Sequence, residues 1–169
     1  MKVLAKGGAR VEGERVFFPP RLVEEQVKKA PGQFRLYARN PENDVVIGGN
    51  HIAFTPGYGA PFVTDLDNGR RKATLKDFEN FVKLTGASAN QDLLSGTVVE
   101  PTDVPAEFRH AQMLYASVKN SDKCFMGSAM GEQGAKDSVR MASILFGSEA
   151  QLAEKPRFIS ILGSLTPLN

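Results

Sequence analysis

Three apolar segments recur along the second half of the chain at a spacing of about thirty residues, and each carries a glycine step. They are "DLLSGTVV" (92–99), "KCFMGSAM" (123–130) and "RFISILGS" (157–164). Successive segments are separated by a stretch of helical period. A strand, a helix and a strand at this spacing imply parallel strands, because the helix carries the chain back to the starting edge in a right-handed crossover. Segments without interleaved polar residues suit a sheet covered on both faces. Two architectures share this pattern, an open doubly wound sheet and a (βα)8 barrel. A complete barrel takes about 250 residues, so 169 residues hold about half of one. No GxGxxG or GxxxxGK[ST] follows any of the segments, which removes support for the nucleotide-binding doubly wound sheets. The chain stops just after its third segment, with no further helix to cover it. The expected fold class is therefore α/β, about half of a (βα)8 TIM barrel.

The connecting helices have readable ends. "TLKD" (74–77) is a capping box opening a helix to about Thr85, with Leu75, Phe78, Phe81 and Val82 inward. "TDVPAEFRHAQMLYASVKN" is expected to be capped near Asp103 with Pro105 in its first turn, burying Phe108, Ala111, Leu114, Tyr115 and Val118. "EQGAKDSVRMASILFG" is a third helix ended by Gly147, and "SEAQ" (148–151) is a second capping box.

The first seventy residues read differently. "VLAKGGA" resembles the last turn of a helix with its glycine stop. A hairpin is expected around Gly13 over residues 10–18, then a short helix with Leu22, Val23 and Val27 on one side. Strands follow at 33–39 and 44–48 around "NPEN", "HIAF" and "FVTDL" continue as extended pieces, and "DNG" (67–69) is a hairpin turn. The expected organisation is one partial-barrel domain over 1–169, hairpin-rich over 1–70 and built of βα repeats over 71–169.

Charge and composition exclude several classes. Net charge is +2 with the two signs interspersed, so nothing points to nucleic acid. No apolar run approaches the roughly 18 residues of a membrane span, and "MKVLAKGGARVEG" is too short and too charged for a secretory signal. The single cysteine, Cys124, provides neither a disulfide nor a CxxC pair and fits a reducing, cytoplasmic setting. Within a strand it reads as an inert buried hydrophobe. His110 has no Cys or Asp at metal spacing, so no metal site is expected, and no nucleophile elbow supports Ser-His-Asp chemistry.

The stretch "VIGGNHIAFTPGYGAPF" sets His51, Phe54, Tyr58 and Phe62 on backbone broken by glycine and proline. These rings are either part of a pocket wall or core rings packing the hairpin region. His51 either orients a ligand or is structural, and Asn50 is expected to take a positive φ. In barrels the working residues lie at the carboxyl ends of the strands. Here those are Thr97 and Glu100, Ser128 and Glu132, Ser164 and Thr166. Glu100 either faces a bound cation or favours the start of the next helix, and Glu132 has the same two readings. The basic "GRRKATLKDF" is either a solvated turn or an anion contact.

The ordered set "GARVEGERVFFPPRLVEEQVKKAPGQFRLYARNPENDVVIGG", "VTDLDNGRRKATLKDF" and "EKPRFISILGSLTPL" resembles the amino-terminal part of the trimethylamine methyltransferase family. The resemblance runs over essentially all 169 residues and implies a (βα)8 barrel of which this is a partial copy. It further implies transfer of a methyl group from trimethylamine or a quaternary amine such as glycine betaine to the cobalt of a separate corrinoid protein. No cofactor is then bound directly, and the corrinoid (cobalamin) arrives with that partner. Members using trimethylamine carry pyrrolysine in a part of the barrel outside this sequence, and members lacking it demethylate quaternary amines. A fixed cation that cannot donate hydrogen bonds is held best by aromatic faces and a carboxylate. The candidate substrate-binding set is His51, Phe54, Tyr58, Glu100, Ser128 and Glu132. Half a barrel leaves a strand edge unpaired, so a homo-oligomer is expected. The alternative is a non-catalytic α/β binding module from a truncated gene.

Overall fold

Helix α1 (Lys2–Lys6) stops at Gly7, as the opening "VLAKGGA" predicts. Strands β1 (Arg10–Glu12) and β2 (Arg15–Phe17) pair antiparallel, Val11 opposite Val16, around the turn at Gly13. Helix α2 (Pro20–Val27) follows, started by the fixed φ of a proline in its first turn. These elements make one compact unit, Met1–Phe34, and a second begins at Arg35. The computed structural model describes residues 1–128 and 131–161. Ser164 and Thr166, and the third glycine step with them, lie outside the described residues.

Small two-stranded sheets and irregular structure follow. β3 (Gln33–Leu36) pairs with β4 (Val45–Gly48). The turn between them is a short 3-10 helix, Pro41–Asn43, begun by Asn40, whose side chain accepts the Glu42 N–H. Asp44 holds the approach by accepting the Ala38 N–H at 2.9 Å. β5 (Phe62–Asp65) and β6 (Gly69–Lys72) form the hairpin that "DNG" predicts, with Asp65 opposite Gly69. "HIAF" is not a strand, and His51 makes only an isolated antiparallel bridge to Gly48. Asn50 does not take a positive φ. Gly48 and Gly49 do, at 99° and 60°, because glycine enters that region without steric cost.

The rest alternates helix with extended chain: α3 (Leu75–Ala87), α4 (Ala106–Asn120), β7 (Phe125–Met126), α5 (Gly131–Phe146), α6 (Glu149–Glu154) and β8 (Phe158–Ile159). The architecture is mixed α/β, with small antiparallel sheets followed by helices and parallel pairs. β7 and β8 pair parallel, Phe125 with Phe158 and Met126 with Ile159. Leu93 bridges Cys124 in parallel, and Ala60 bridges Val99 in parallel. Of residues 92–99, expected as a full strand, only these isolated bridges form. Phe78, Val82, Leu94, Val99, Leu114 and Phe125 are buried in one cluster in which α3 packs on α4 and α4 on α5.

Two polar groups finish helix ends across the fold. Asp103 was expected to cap α4. It instead accepts the Leu75 N–H at 2.8 Å and so satisfies a donor in the first turn of α3. The start of α4 has Pro105 and no side-chain cap. Lys123 is buried, and its ammonium donates to the carbonyls of Thr85 (3.0 Å), Ser88 (2.6 Å) and Gln91 at the far end of α3. A cation among the last carbonyls of a helix offsets both their unmet hydrogen bonds and the negative end of the dipole. No described helix is long and apolar enough to cross a membrane.

Candidate active site

One face of α4 is mixed in chemistry. Ala106, Arg109, His110, Met113, Leu114 and Ser117 recur at three- and four-residue steps and line one cavity of about 770 Å³. This face replaces the expected stripe. Leu114 is buried as predicted, whereas Phe108 and Tyr115 are exposed. The error has a physical cause. Arg109 and His110 turn inward because each has a partner that neutralises the cost of leaving water. Arg109 pairs with Glu100 through Nη1, and its Nε and Nη2 donate to the Val104 carbonyl at 3.4 and 3.2 Å. His110 Nε2 lies 2.9 Å from Asp137 Oδ2 on α5. The His110 hydrogen bond, with help from Gln133, holds the Asp137 carboxyl below the usual range.

The rest of the lining comes from the ends of the parallel segments and from the glycine-proline loop. Gly96 and Thr97, then Gly127 and Ser128, supply two backbone steps, and Thr55, Pro56 and Tyr58 supply the loop. Both glycine steps are sites of close approach. A Cβ on Gly96 would meet the Tyr58 hydroxyl at 3.2 Å, and one on Gly127 would meet the Phe158 ring at 2.8 Å. The loop is laced to the segment beside it. The Gly59 N–H donates to the Thr97 carbonyl at 2.6 Å, the Glu100 N–H to the Ala60 carbonyl at 2.9 Å, and Ser95 Oγ to the Gly57 carbonyl at 3.3 Å. Tyr58 thereby reaches the rim formed by the parallel segments. Behind the rim, the Ser128 N–H donates to Ser138 Oγ at 2.8 Å, and Ser138 is fully buried.

The family follows from the whole sequence: the trimethylamine methyltransferase (MTTB) family matches residues 1–169. The chain belongs to that family. It is 56% identical over 168 residues to the glycine betaine methyltransferase of Desulfitobacterium hafniense (strain Y51), covering 99% of this chain and 35% of that protein. It is 29% identical over 174 residues to the trimethylamine methyltransferase MttB of Desulfitobacterium hafniense (strain DSM 10664 / DCB-2), covering 99% of this chain and 34% of that protein. The chain thus spans about a third of the length of these family members.

Of the residues singled out in the sequence of this family member, the cavity brings together Tyr58, Thr97, Glu100, His110 and Ser128. His51, Phe54 and Glu132 do not line it. His51 is exposed, and its N–H donates to the Gly48 carbonyl at 3.1 Å. The Phe54 ring is exposed, while its N–H donates to Asp92 Oδ2 at 2.6 Å. The Glu132 side chain is 82% exposed and pairs with Lys136 one turn along α5. The Phe62 ring carries the Arg70 guanidinium 4.0 Å from its centroid. The basic run before α3 is partly internal, since Arg71 is bound between Asp65 (3.0 Å) and Asp77 (2.7 Å). Cys124 is buried, and burial pushes its thiol up to about 12. Sequence reading passed over Arg109 and the pairing of His110. The available signal was their helical phase with Met113, Leu114 and Ser117. Asp137, twenty-seven residues from His110, left no local trace.

Proposed function

We propose that this chain is part of a (βα)8-barrel methyltransferase that takes a methyl group from a quaternary amine of the glycine betaine type and passes it to the cobalt of a corrinoid protein. The barrel reading is supported by strand order. The segments at Ala60, Leu93–Val99, Cys124–Met126 and Phe158–Ile159 neighbour one another in chain order, all in parallel. A doubly wound sheet reverses that order at a switch point.

The observation that carries the functional reading is the meeting of Tyr58 and Glu100 in one largely apolar cavity at the ends of these segments. A quaternary nitrogen offers no hydrogen bond, so it is held by an aromatic face and a carboxylate. In the reaction the methyl carbon bonds to cobalt(I), and the C–N electron pair returns to nitrogen. Cobalt is oxidised to the +3 state, and the amine leaves neutral with one methyl fewer. The protein's share is to hold the N–CH3 bond in line with the metal and to keep competing water away. The acceptor is a co-substrate delivered by the partner at the open end of the cavity. The site proposal rests on Tyr58, Glu100 and Ser128. Glycine betaine is favoured over trimethylamine by the higher identity to the relative of that name.

The test is methylcobalamin formation from cob(I)alamin by the polypeptide carrying this segment, with glycine betaine or trimethylamine as donor. Turnover with glycine betaine is expected. Failure with every methylated amine overturns the proposal.

A further inference from the structure

We infer that Arg109 selects donors that carry a carboxylate as well as a quaternary nitrogen. The inference rests on the methyl-transfer reading above and assigns a residue that the reading does not use. A pocket meant only for a cation gains nothing from a guanidinium in its wall, because like charge raises the cost of binding. This cavity nevertheless exposes Arg109 beside Glu100, and its remaining lining includes Met113, Leu114 and Met126. The two charges cancel, which suits a ligand of no net charge whose own two charges are separated. Tyr58 and Glu100 would face the ammonium, and Arg109 the carboxylate.

The pairing of Arg109 leaves room for such a ligand. A guanidinium has five N–H donors in a planar fork. Nη1 gives one to a single oxygen of Glu100, and Nε and Nη2 each give one to the Val104 carbonyl. One donor on Nη1 and one on Nη2 have no acceptor among the described residues. A bidentate carboxylate takes two parallel donors of this kind. The Arg109 side chain is 22% exposed, and that of Glu100 is 47% exposed. The arginine is therefore held in the wall while its partner is the looser member and can yield to a ligand. Lysine keeps the charge and loses the fork.

The experiment compares wild type with Arg109→Lys in the full polypeptide. It measures KM for glycine betaine and the inhibition constant of choline, which has the same quaternary head and a hydroxyl in place of the carboxylate. The expected result is a rise of about tenfold in the KM for glycine betaine, the scale of one charge-assisted hydrogen bond, with kcat and the choline constant nearly unchanged. An unchanged KM, or a parallel rise in both constants, overturns the inference and makes Arg109 a clamp on the Val104 loop. If Arg109→Lys loses its circular dichroism, calorimetry on wild type decides between glycine betaine and its amide, a cation in which an uncharged amide replaces the carboxylate. A preference of about tenfold for the carboxylate supports the inference, and equal binding overturns it. Calorimetry needs no turnover, so a failure of methyl transfer itself is read separately.

Discussion

Gly127 has little room to change. A Cβ there would come within 2.8 Å of both the Phe158 ring and Ser160 Oγ. The ring cannot easily yield, since it stacks on Phe125 with centroids 5.5 Å apart and planes 11° from parallel. Gly127→Ala is expected to cost about 1–3 kcal/mol, as overpacked cores do. Urea unfolding should show a lower midpoint with an unchanged slope. A Cβ on Gly96 would meet both the Tyr58 hydroxyl and the Met126 Cβ at 3.2 Å, a milder crowding than at Gly127, so Gly96→Ala should cost less stability and also raise the amine KM. Both glycines are visible in the sequence as steps closing apolar runs. What they make room for is not, because Phe158 and Tyr58 reach them from distant positions. Cys124 was legible, since a lone cysteine in an apolar run has little to do but pack.

At the scale of the element, the start of α3 concentrates the electrostatics. Thr74 and Asp77 cap it reciprocally, Arg71 binds Asp77 and Asp65, and Asp103 adds a third carboxylate. The Arg71 hydrogen bonds hold the Asp77 carboxyl well below the usual range, and backbone N–H donation from Asn68 lowers Asp65. A carboxyl lowered in the folded state contributes stability that is present above its unfolded pKa, about 3.9. That contribution is lost as pH falls through the folded value. Stability should therefore decline from about pH 4 downward, and Asp77→Asn should flatten that limb in acid denaturation followed by circular dichroism. Thr74→Ala should cost about 1 kcal/mol at neutral pH. The Thr74–Asp77 box was readable because its partners stand three residues apart. In the sequence Asp103 has the place of a cap for the nearer helix, since nothing local reveals a partner twenty-eight residues back. The inner face of α4 was misread for the same reason, because Glu100 and Asp137 make two charged-looking positions compatible with the interior.

For the molecule as a whole, the parallel order of the later segments was legible, because spacing and period constrain it without side-chain detail. The outward faces were not. Leu84, Phe108, Tyr115 and Ile144 lie largely exposed on α3, α4 and α5. Large apolar side chains this exposed suit a surface that something else covers. In the barrel reading, further chain or a second copy covers it. The 169-residue chain alone should self-associate with concentration in sedimentation velocity, and Phe108→Lys with Tyr115→Lys should weaken that association. A single species at every concentration would overturn this expectation. Lys123, whose ammonium sits on the carbonyls of Thr85, Ser88 and Gln91 at and just past the end of α3, offers a different kind of readout. Its amine is nucleophilic only when released from that seat. Timed acylation with peptide mapping should modify the surface lysines at once and Lys123 last, and the delay would clock how often the end of that helix lets go.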